Sequence, residues 1–412
     1  MFIKNIILFI TLLTPSFCYS QYNGTGSITQ GVATTITSNL YTCTGGRIAG
    51  IGTKTATDYS VWILPAVVNF TNTNFPFASN LHNVCTGANY TSSSAALAAL
   101  TGTDIVTIDA SGEIITAYIF ADNYFEMYIN GVAVGKDNVP FTQFNSNIVR
   151  FKVNKPFTIA MLLVDWEENL GLGSENNNGF TYHPGDGGMV AVFKDATNNT
   201  IATTGSNWKA QTFYTSPITD LSCPTESGTN RLTTNCSTAD SNNGSAYYGL
   251  HWNRPANWTT ASFNDSSWPS ASIYSNATIG VNNKPAYTNF TNIFDDATND
   301  AQFIWSSNVI LDNEVIVRHT VNATTSIKET SSINKLIRLY PNPASNELKL
   351  DIDEIIKLSD INNISIFNSN GQKIYETKTY DGTINLNTFL KGLYVVKILL
   401  DDYQITEKLI ID

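Results

Sequence analysis

The stretch Ala121-Asp122-Asn123-Tyr124-Phe125-Glu126-Met127-Tyr128-Ile129-Asn130-Gly131-Val132-Ala133-Val134-Gly135 carries the pattern from which the fold of this chain is read. Phe125, Met127 and Ile129 alternate with polar neighbours, Asn130-Gly131 interrupts, and Val132 and Val134 resume the alternation. Period two sends alternate side chains to one face, and Asn-Gly accepts the positive backbone angles that a two-residue turn demands. The stretch is therefore predicted to be a β-hairpin with Phe125, Met127 and Ile129 in a core. Asp122-Asn123, just ahead of it, is a turn element whose side chains can hydrogen-bond nearby backbone.

The pattern recurs on both sides of the hairpin. Strands are expected at 61–64, 105–108, 114–120, 148–153, 157–164, 189–193, 304–311 and 314–321. Residues 159–164 are continuously apolar, as in a strand covered on both faces. One helix is expected, over 93–100, with a Ser cap and good helix formers, stopped by Thr101-Gly102. The 412 residues are 42% hydrophobic and 11% aromatic but only 14% charged, so polarity comes mainly from Asn, Thr, Ser and Gly. Amphipathic helices need charged outer faces, which this composition seldom supplies, and an all-β fold is expected. A net charge of −11 with no basic run in the middle of the chain argues against nucleic acid, whose binding draws on clustered Lys and Arg.

The first twenty residues read as a signal peptide: Lys4, an apolar run from Ile6 to Leu13, and a cleavage end at Cys18-Tyr19-Ser20. The run is too short to span a bilayer, and no later segment reaches that length, so no membrane-spanning segment is expected in the mature chain. Removal of Cys18 leaves Cys43, Cys85, Cys223 and Cys236. An even number in an exported protein favours two disulfides, and nearest neighbours give Cys43 with Cys85 and Cys223 with Cys236, one of three pairings that four cysteines allow.

From about Ser331 the chain becomes richer in lysine. A Ser/Thr-rich linker is placed at 324–338, after a cargo region of 21–323 that is either one sandwich or two in tandem with a break near 222–246. The last unit, 339–412, opens with Tyr340-Pro341-Asn342-Pro343 and continues in short strands, two of them joined by Asn370-Gly371, as in a small immunoglobulin-like β-sandwich. It resembles the type A C-terminal sorting domain of proteins exported by the type IX secretion system of Bacteroidetes. The residues that carry the resemblance are Tyr340-Pro341-Asn342-Pro343, Ile366-Phe367-Asn368 with Asn370-Gly371, Gly392-Leu393-Tyr394 and Lys408-Leu409-Ile410-Ile411. The resemblance implies passage through the periplasm, recognition by the type IX machinery, and release to the medium or attachment to the outer cell surface.

The opening hairpin, from Asp122 to Gly135, and the segment Phe263-Asn264-Asp265-Ser266-Ser267-Trp268 resemble two signatures of galactose-binding-like jelly-roll modules. Their order departs from the usual pattern, in which the Asp-Ser-Ser-Trp segment precedes the hairpin. The resemblance implies a jelly-roll-like β-sandwich cargo; it does not by itself carry function.

Chemistry concentrates after the buried-looking strand, in Asp165-Trp166-Glu167-Glu168-Asn169 and onward through Glu175 to His183-Pro184-Gly185-Asp186. Calcium takes six to eight oxygens from carboxylates, amides and carbonyls, and Asp165, Glu167, Glu175 and Asp186 are candidate ligands; a solvated acidic loop is the alternative. Trp166 offers a ring face to a sugar, with Glu167, Glu168 and Asn169 able to pair with hydroxyls, and core packing of Trp166 is the other reading. Glu167 or Glu168 with Glu175 could also serve as a glycosidase acid and base, which requires a defined separation across a cleft. No His-Glu-x-x-His pair, Gly-x-Ser-x-Gly elbow or phosphate loop occurs. The expectation is a secreted, non-catalytic, carbohydrate-binding sandwich, with a polysaccharide-degrading hydrolase or a surface adhesin as alternatives.

Overall fold

The computed structural model describes residues 22–322 and 337–412, apart from 37–38, 42, 45–47, 142–143, 298, 300, 353–355 and 401–403. The signal segment 1–20 lies outside the described residues, as does the linker but for its last two positions. The chain divides into two compact units, 1–322 and 323–412.

The hairpin forms where the alternation places it. Tyr124–Ile129 pairs antiparallel with Val132–Lys136, and the turn residues Asn130 and Gly131 have φ of 51° and 89°. Phe125, Met127 and Ile129 are fully buried. Asn130 also works sideways: its backbone N–H donates to Thr158 O at 3.0 Å and its side-chain oxygen accepts from Thr158 N at 2.8 Å, extending the pairing to the next strand.

The first unit is a two-sheet sandwich. Its seven-stranded sheet runs Ser27–Gln30, Tyr248–His251, Lys209–Ile218, Asp312–Val321, Phe157–Val164, Tyr124–Ile129, Val132–Lys136. The nine-stranded sheet runs Ser272–Tyr274, Phe303–Trp305, Gly188–Lys194, Glu113–Asp122, Ser146–Val153, Ser79–Asn83, Ala88–Asn89, with Thr200–Thr203 and Ile105–Thr107 alongside. Strands from before and after 222–246 share both sheets.

Phe157–Val164 is buried at every position, as its unbroken apolar run requires. Ile159, Met161 and Leu163 join Phe125, Met127, Val315 and Val317 in the core between the sheets. The alternate residues Ala160, Leu162 and Val164 join Tyr124 and Ile316 beneath an outer layer containing Trp166, Trp252, Trp258 and Trp268. A buried cation and a buried anion fasten that layer. Lys136 Nζ donates to the carbonyls of Asn69, Phe70 and Asn72 at 2.7–2.8 Å, while its register partner Glu126 accepts from Asn69 Nδ2, Tyr124 OH and Tyr128 OH at 2.9–3.0 Å. Burial of charge is tolerated because each group is saturated with hydrogen bonds. Arg318 does the same for the Asp-Ser-Ser-Trp segment: its Nε lies 2.8 Å from Asp265 Oδ2, its Nη2 donates to Thr260 O at 3.1 Å, and its guanidinium stands over the Phe263 ring at 5.1 Å.

The expected helix spans Ser93–Ala98, with Ser92 Oγ accepting from Ala95 N. Among the described residues three further α-helices, Asn276–Ile279, Pro285–Thr288 and Thr291–Phe294, were not legible, because a single turn has no periodicity to read. They place Ile279, Tyr287, Ile293 and Phe294 in the main core, Tyr287 5.8 Å from Phe120 and 5.3 Å from Phe303 between ring centroids. Both disulfides pair nearest neighbours, Cys43 with Cys85 and Cys223 with Cys236.

The second unit is a small sandwich of a three-stranded sheet, Ile337–Tyr340, Glu347–Ile352, Ile384–Asn385, and a four-stranded sheet, Lys373–Thr377, Ile361–Asn368, Gly392–Leu400, Gln404–Ile411. It has its own core, including Leu348, Ile366, Tyr394, Val396, Leu409 and Ile411. The Tyr340-Pro341-Asn342-Pro343 motif is a clasp between the sheets. Asn342 donates from Nδ2 to Lys408 O at 2.6 Å and accepts at Oδ1 from Ile410 N at 2.9 Å, and Ala344 N continues the pairing to Ile410 O at 2.8 Å. Gly371, with φ of 76°, turns the hairpin that follows Asn370. Tyr394 is buried with its hydroxyl on Leu390 O at 2.6 Å.

Replacing Leu162 by Ala opens a cavity beneath the outer layer, and urea denaturation is expected to show a loss of about 2–5 kcal/mol.

Candidate functional site

Three strand ends meet at one end of the large sandwich. Glu113–Asp122 finishes at Asp122, where the chain crosses from the nine-stranded to the seven-stranded sheet and resumes at Tyr124. Phe157–Val164 runs antiparallel beside it, with Val164 opposite Tyr124, so Asp165 emerges at the same end. Gly188 pairs with Asp122, which brings Asp186 to the crossing as well. Asn123 ties these parts together: its N–H donates to Val164 O at 3.3 Å and its Oδ1 accepts from Trp166 N at 2.6 Å, while its Nδ2 donates to Asp122 Oδ1 at 2.8 Å. The turn read from sequence thus fixes the chain beyond Val164.

The acidic residues named from sequence are gathered here, joined by Asp122, which sequence reasoning treated only as a turn former. Asp122, Asp165 and Glu167 are buried; Asp186 is half-buried. The Glu167 carboxylate lies directly against Gly185, in space that a side chain at 185 would fill. Glu175 pairs with His183 in the hairpin formed by Ser174–Asn177 and Phe180–Pro184. Asp165 Oδ2 is buried without a hydrogen-bond partner.

Burial and mutual repulsion raise the proton affinity of these groups. Asp122 is held well above the usual carboxylate range by loss of water, then by the charges of Asp186 and Glu175, with Lys284 opposing. Asp165 is raised by burial and by Asp122, Asp186 and Glu175. Glu167 is raised by burial and by Asp165, Glu175, Asp122 and Asp186. Asp186 is pushed up to about 6, chiefly by burial, against the opposing charges of His183 and Lys284. Asp122, Asp165 and Glu167 each feel several neighbouring acidic charges, so the cluster acts as one charged site. Among the described residues, no three acidic, histidine or cysteine side chains form a ready-made metal cage.

The ligand-binding residues read from sequence separate. Trp166 is fully buried, its Nε1 donating to Gly50 O at 3.0 Å and its ring edge-on to Tyr124, so no sugar can reach its face. The apolar ring was needed to cover Val164 and its neighbours, and packing prevails over binding there. Glu168 Oε1 accepts from Asn176 N at 2.9 Å, and Asn169 Nδ2 donates to Thr181 O at 2.6 Å; both are half-buried and brace the hairpin.

The geometry is that of a β-sandwich with an acidic end, followed by a second sandwich clasped by a Pro-Asn-Pro motif. Residues 338–412 match the family described as the secretion system C-terminal sorting domain, so this chain carries a type IX secretion sorting domain. Its presence implies recognition by the type IX machinery and export to the cell surface or the medium. No curated protein matches the chain significantly. Among solved structures the chain is similar to PorZ, an essential bacterial surface component of the type IX secretion system of Porphyromonas gingivalis, at 13% identity over 27% of this chain and 15% of that one, with a TM-score of 0.16. It is similar also to the BSP domain of a biofilm associated protein, at 10% identity over 73% of this chain and 76% of that one, TM-score 0.15. Dimeric latent PorU from Porphyromonas gingivalis matches at 13% identity over 73% of this chain and 30% of that one, TM-score 0.15. At such TM-scores none of these likenesses carries an argument. Among the described residues no helix is long and apolar enough to cross a membrane.

The raised carboxyls bind protons more tightly in the folded than in the unfolded chain. Their contribution to stability is therefore fully present below about pH 4, the unfolded value, and for Asp186 it is lost as pH rises through about 6. Asp186→Asn, compared with the parent by urea denaturation in EDTA, should become relatively more stable as pH rises from about 4 to 7.

Proposed function

We propose that the exported sandwich is a non-catalytic binding module whose acidic end holds a divalent cation of the calcium type and recognises carbohydrate there. The observation that supports this reading is the crossing itself: Asp122, Asp165 and Glu167 each feel the charges of Glu175 and Asp186, and one buried oxygen of Asp165 lacks a partner. Buried carboxylates with so little opposing charge need protons or a cation, and a hard cation draws on carbonyl and amide oxygens as well as carboxylates. Asp122 and Asp165 would approach it from the two sheets, and Glu167, Glu175 and Asp186 from the loop. Sugar hydroxyls are the ligands that complete the shell of such a cation, and Glu168 and Asn169 stand beside the cluster.

Calcium should raise the melting temperature of the full chain in a concentration-dependent way, because a ligand bound only by the folded state stabilises it by mass action. At a calcium concentration of about 100 times the dissociation constant the gain is about 2.7 kcal/mol. Asp165→Asn should abolish most of that rise. In a glycan-binding screen, binding should vanish in EDTA and return with calcium, without release of reducing ends. Calcium-independent melting would sink the cation; release of product over time would favour a hydrolase.

A further inference from the structure

The sorting sandwich has two outer faces of different character. On the three-stranded sheet, outward Arg338 stands opposite Asp351 and Tyr340 opposite Lys349, a mixed and ordinary polar surface. On the four-stranded sheet, Leu393 stands opposite Ile410, and Val395 lies between Phe367 and Lys408. Leu393 and Ile410 are 50% and 45% exposed, and at the end of the same sheet Leu390 and Ile374 are 82% and 40% exposed. Leu390, Leu393 and Ile374 share a cleft of about 420 Å³ with Asn368, Phe389 and Lys391. Single exposed apolar residues are commonplace, whereas a contiguous group marks a surface that another molecule covers.

The sequence motifs divide along this face. In Gly392-Leu393-Tyr394 and Lys408-Leu409-Ile410-Ile411, the fold consumes Tyr394, Leu409 and Ile411 as core. Leu393, Lys408 and Ile410 point outward, side by side, and the sandwich's own packing gives no reason for them. Exposed Lys391, Lys408 and Lys397 surround the apolar group, Lys397 Nζ standing 5.5 Å over the Phe367 ring. Glu376, on the same face, is paired with Lys373 at 2.7 Å.

We propose that this face, centred on Leu390, Leu393 and Ile410 and rimmed by Lys391, Lys397 and Lys408, is where the type IX machinery docks, through a protein surface with an apolar centre and a carboxylate rim. The inference rests on the sorting-domain match of residues 338–412 and is independent of the glycan reading. Apolar contact supplies the affinity; the lysine rim sets orientation and approach.

The test is export of the full chain from a bacterium that secretes through the type IX system, read as the fraction in the medium and on the surface against the fraction retained. A variant carrying Leu390→Asp and Leu393→Asp, and another carrying Lys391→Glu and Lys397→Glu, should each lose export by about tenfold or more, whereas Lys349→Glu on the opposite sheet should stay within about twofold of the parent. Both substituted lysines are exposed, and melting of the purified full chain checks that their variant keeps the parental fold. Parental melting with undiminished export of the lysine variant overturns the proposal, as does an equal loss for Lys349→Glu. Sedimentation of the parent at micromolar concentration reads the remaining occupant: a dimer that the leucine substitutions dissociate while export persists would make the face a self-interface and overturn it too. Glycan binding of the same variants should remain at the parental level.

Discussion

Everything in the exported unit follows from one strand that has no solvent side. Phe157–Val164 lies between Tyr124–Ile129 and Asp312–Val321 and is buried at all eight positions. One set of its side chains is satisfied by the opposing sheet, as in any sandwich. The other set forces the chain to build a second cover, and segments distant in sequence, around Ala49 to Phe70 and Trp252 to Trp268, are drawn over it. Covering a sheet face with loops brings backbone carbonyls and amides out of water, which is costly unless they are paired. Lys136, Glu126 and Arg318 do that pairing, each saturated by several groups of the cover. The charges buried in the sheet are thus fasteners for the layer above.

The same construction creates the acidic end. A strand buried on both faces cannot carry polar chemistry along its length, so the polar residues are displaced to where it stops. Asp165 and Glu167 appear immediately after Val164, and Asp122 at the point where the chain changes sheets. There the backbone leaves its ladders, and Asn123 replaces the missing pairing with side-chain hydrogen bonds to Trp166 and Asp122. The carboxylates that remain have few partners of opposite sign, and their proton affinities rise together. A site of this kind is tense by construction and is relieved by whatever positive charge it can recruit.

The sorting unit solves a smaller problem with the same means. Its closing strand, Gln404–Ile411, is held to the first sheet by the Asn342 side chain, which presents an acceptor and a donor in the spacing of a backbone. The two prolines beside it have no N–H to donate, so the motif can lie against a strand edge without continuing the sheet. Lys408 enters this clasp through its carbonyl while its side chain points to solvent, so backbone and side chain of one motif residue serve different ends.

Periodicity in the chain was enough to determine the all-β class, the Asn130-Gly131 hairpin and the doubly covered strand, because each is a local regularity: alternation, a turn dipeptide, an unbroken apolar run; the sorting domain was legible instead through the resemblance its short motifs carry. Nearest-neighbour reasoning also paired the cysteines. The sequence reading placed the acidic residues in one loop, left Trp166 between a sugar face and core packing, and read Asp122 only as a turn former. What it left open has one cause. Which face of a tryptophan is covered, and which strand ends lie side by side, depend on contacts between residues tens to hundreds of positions apart, such as Trp166 with Gly50 and Asp122 with Gly188. The single-turn helices over Phe120 escaped for a related reason, since four residues have no period and fold there only because the sheet face beneath needs cover. Local pattern therefore settled what the elements are; the burial of one two-faced strand, a property of the assembled tertiary structure, decided which side chains were free to act.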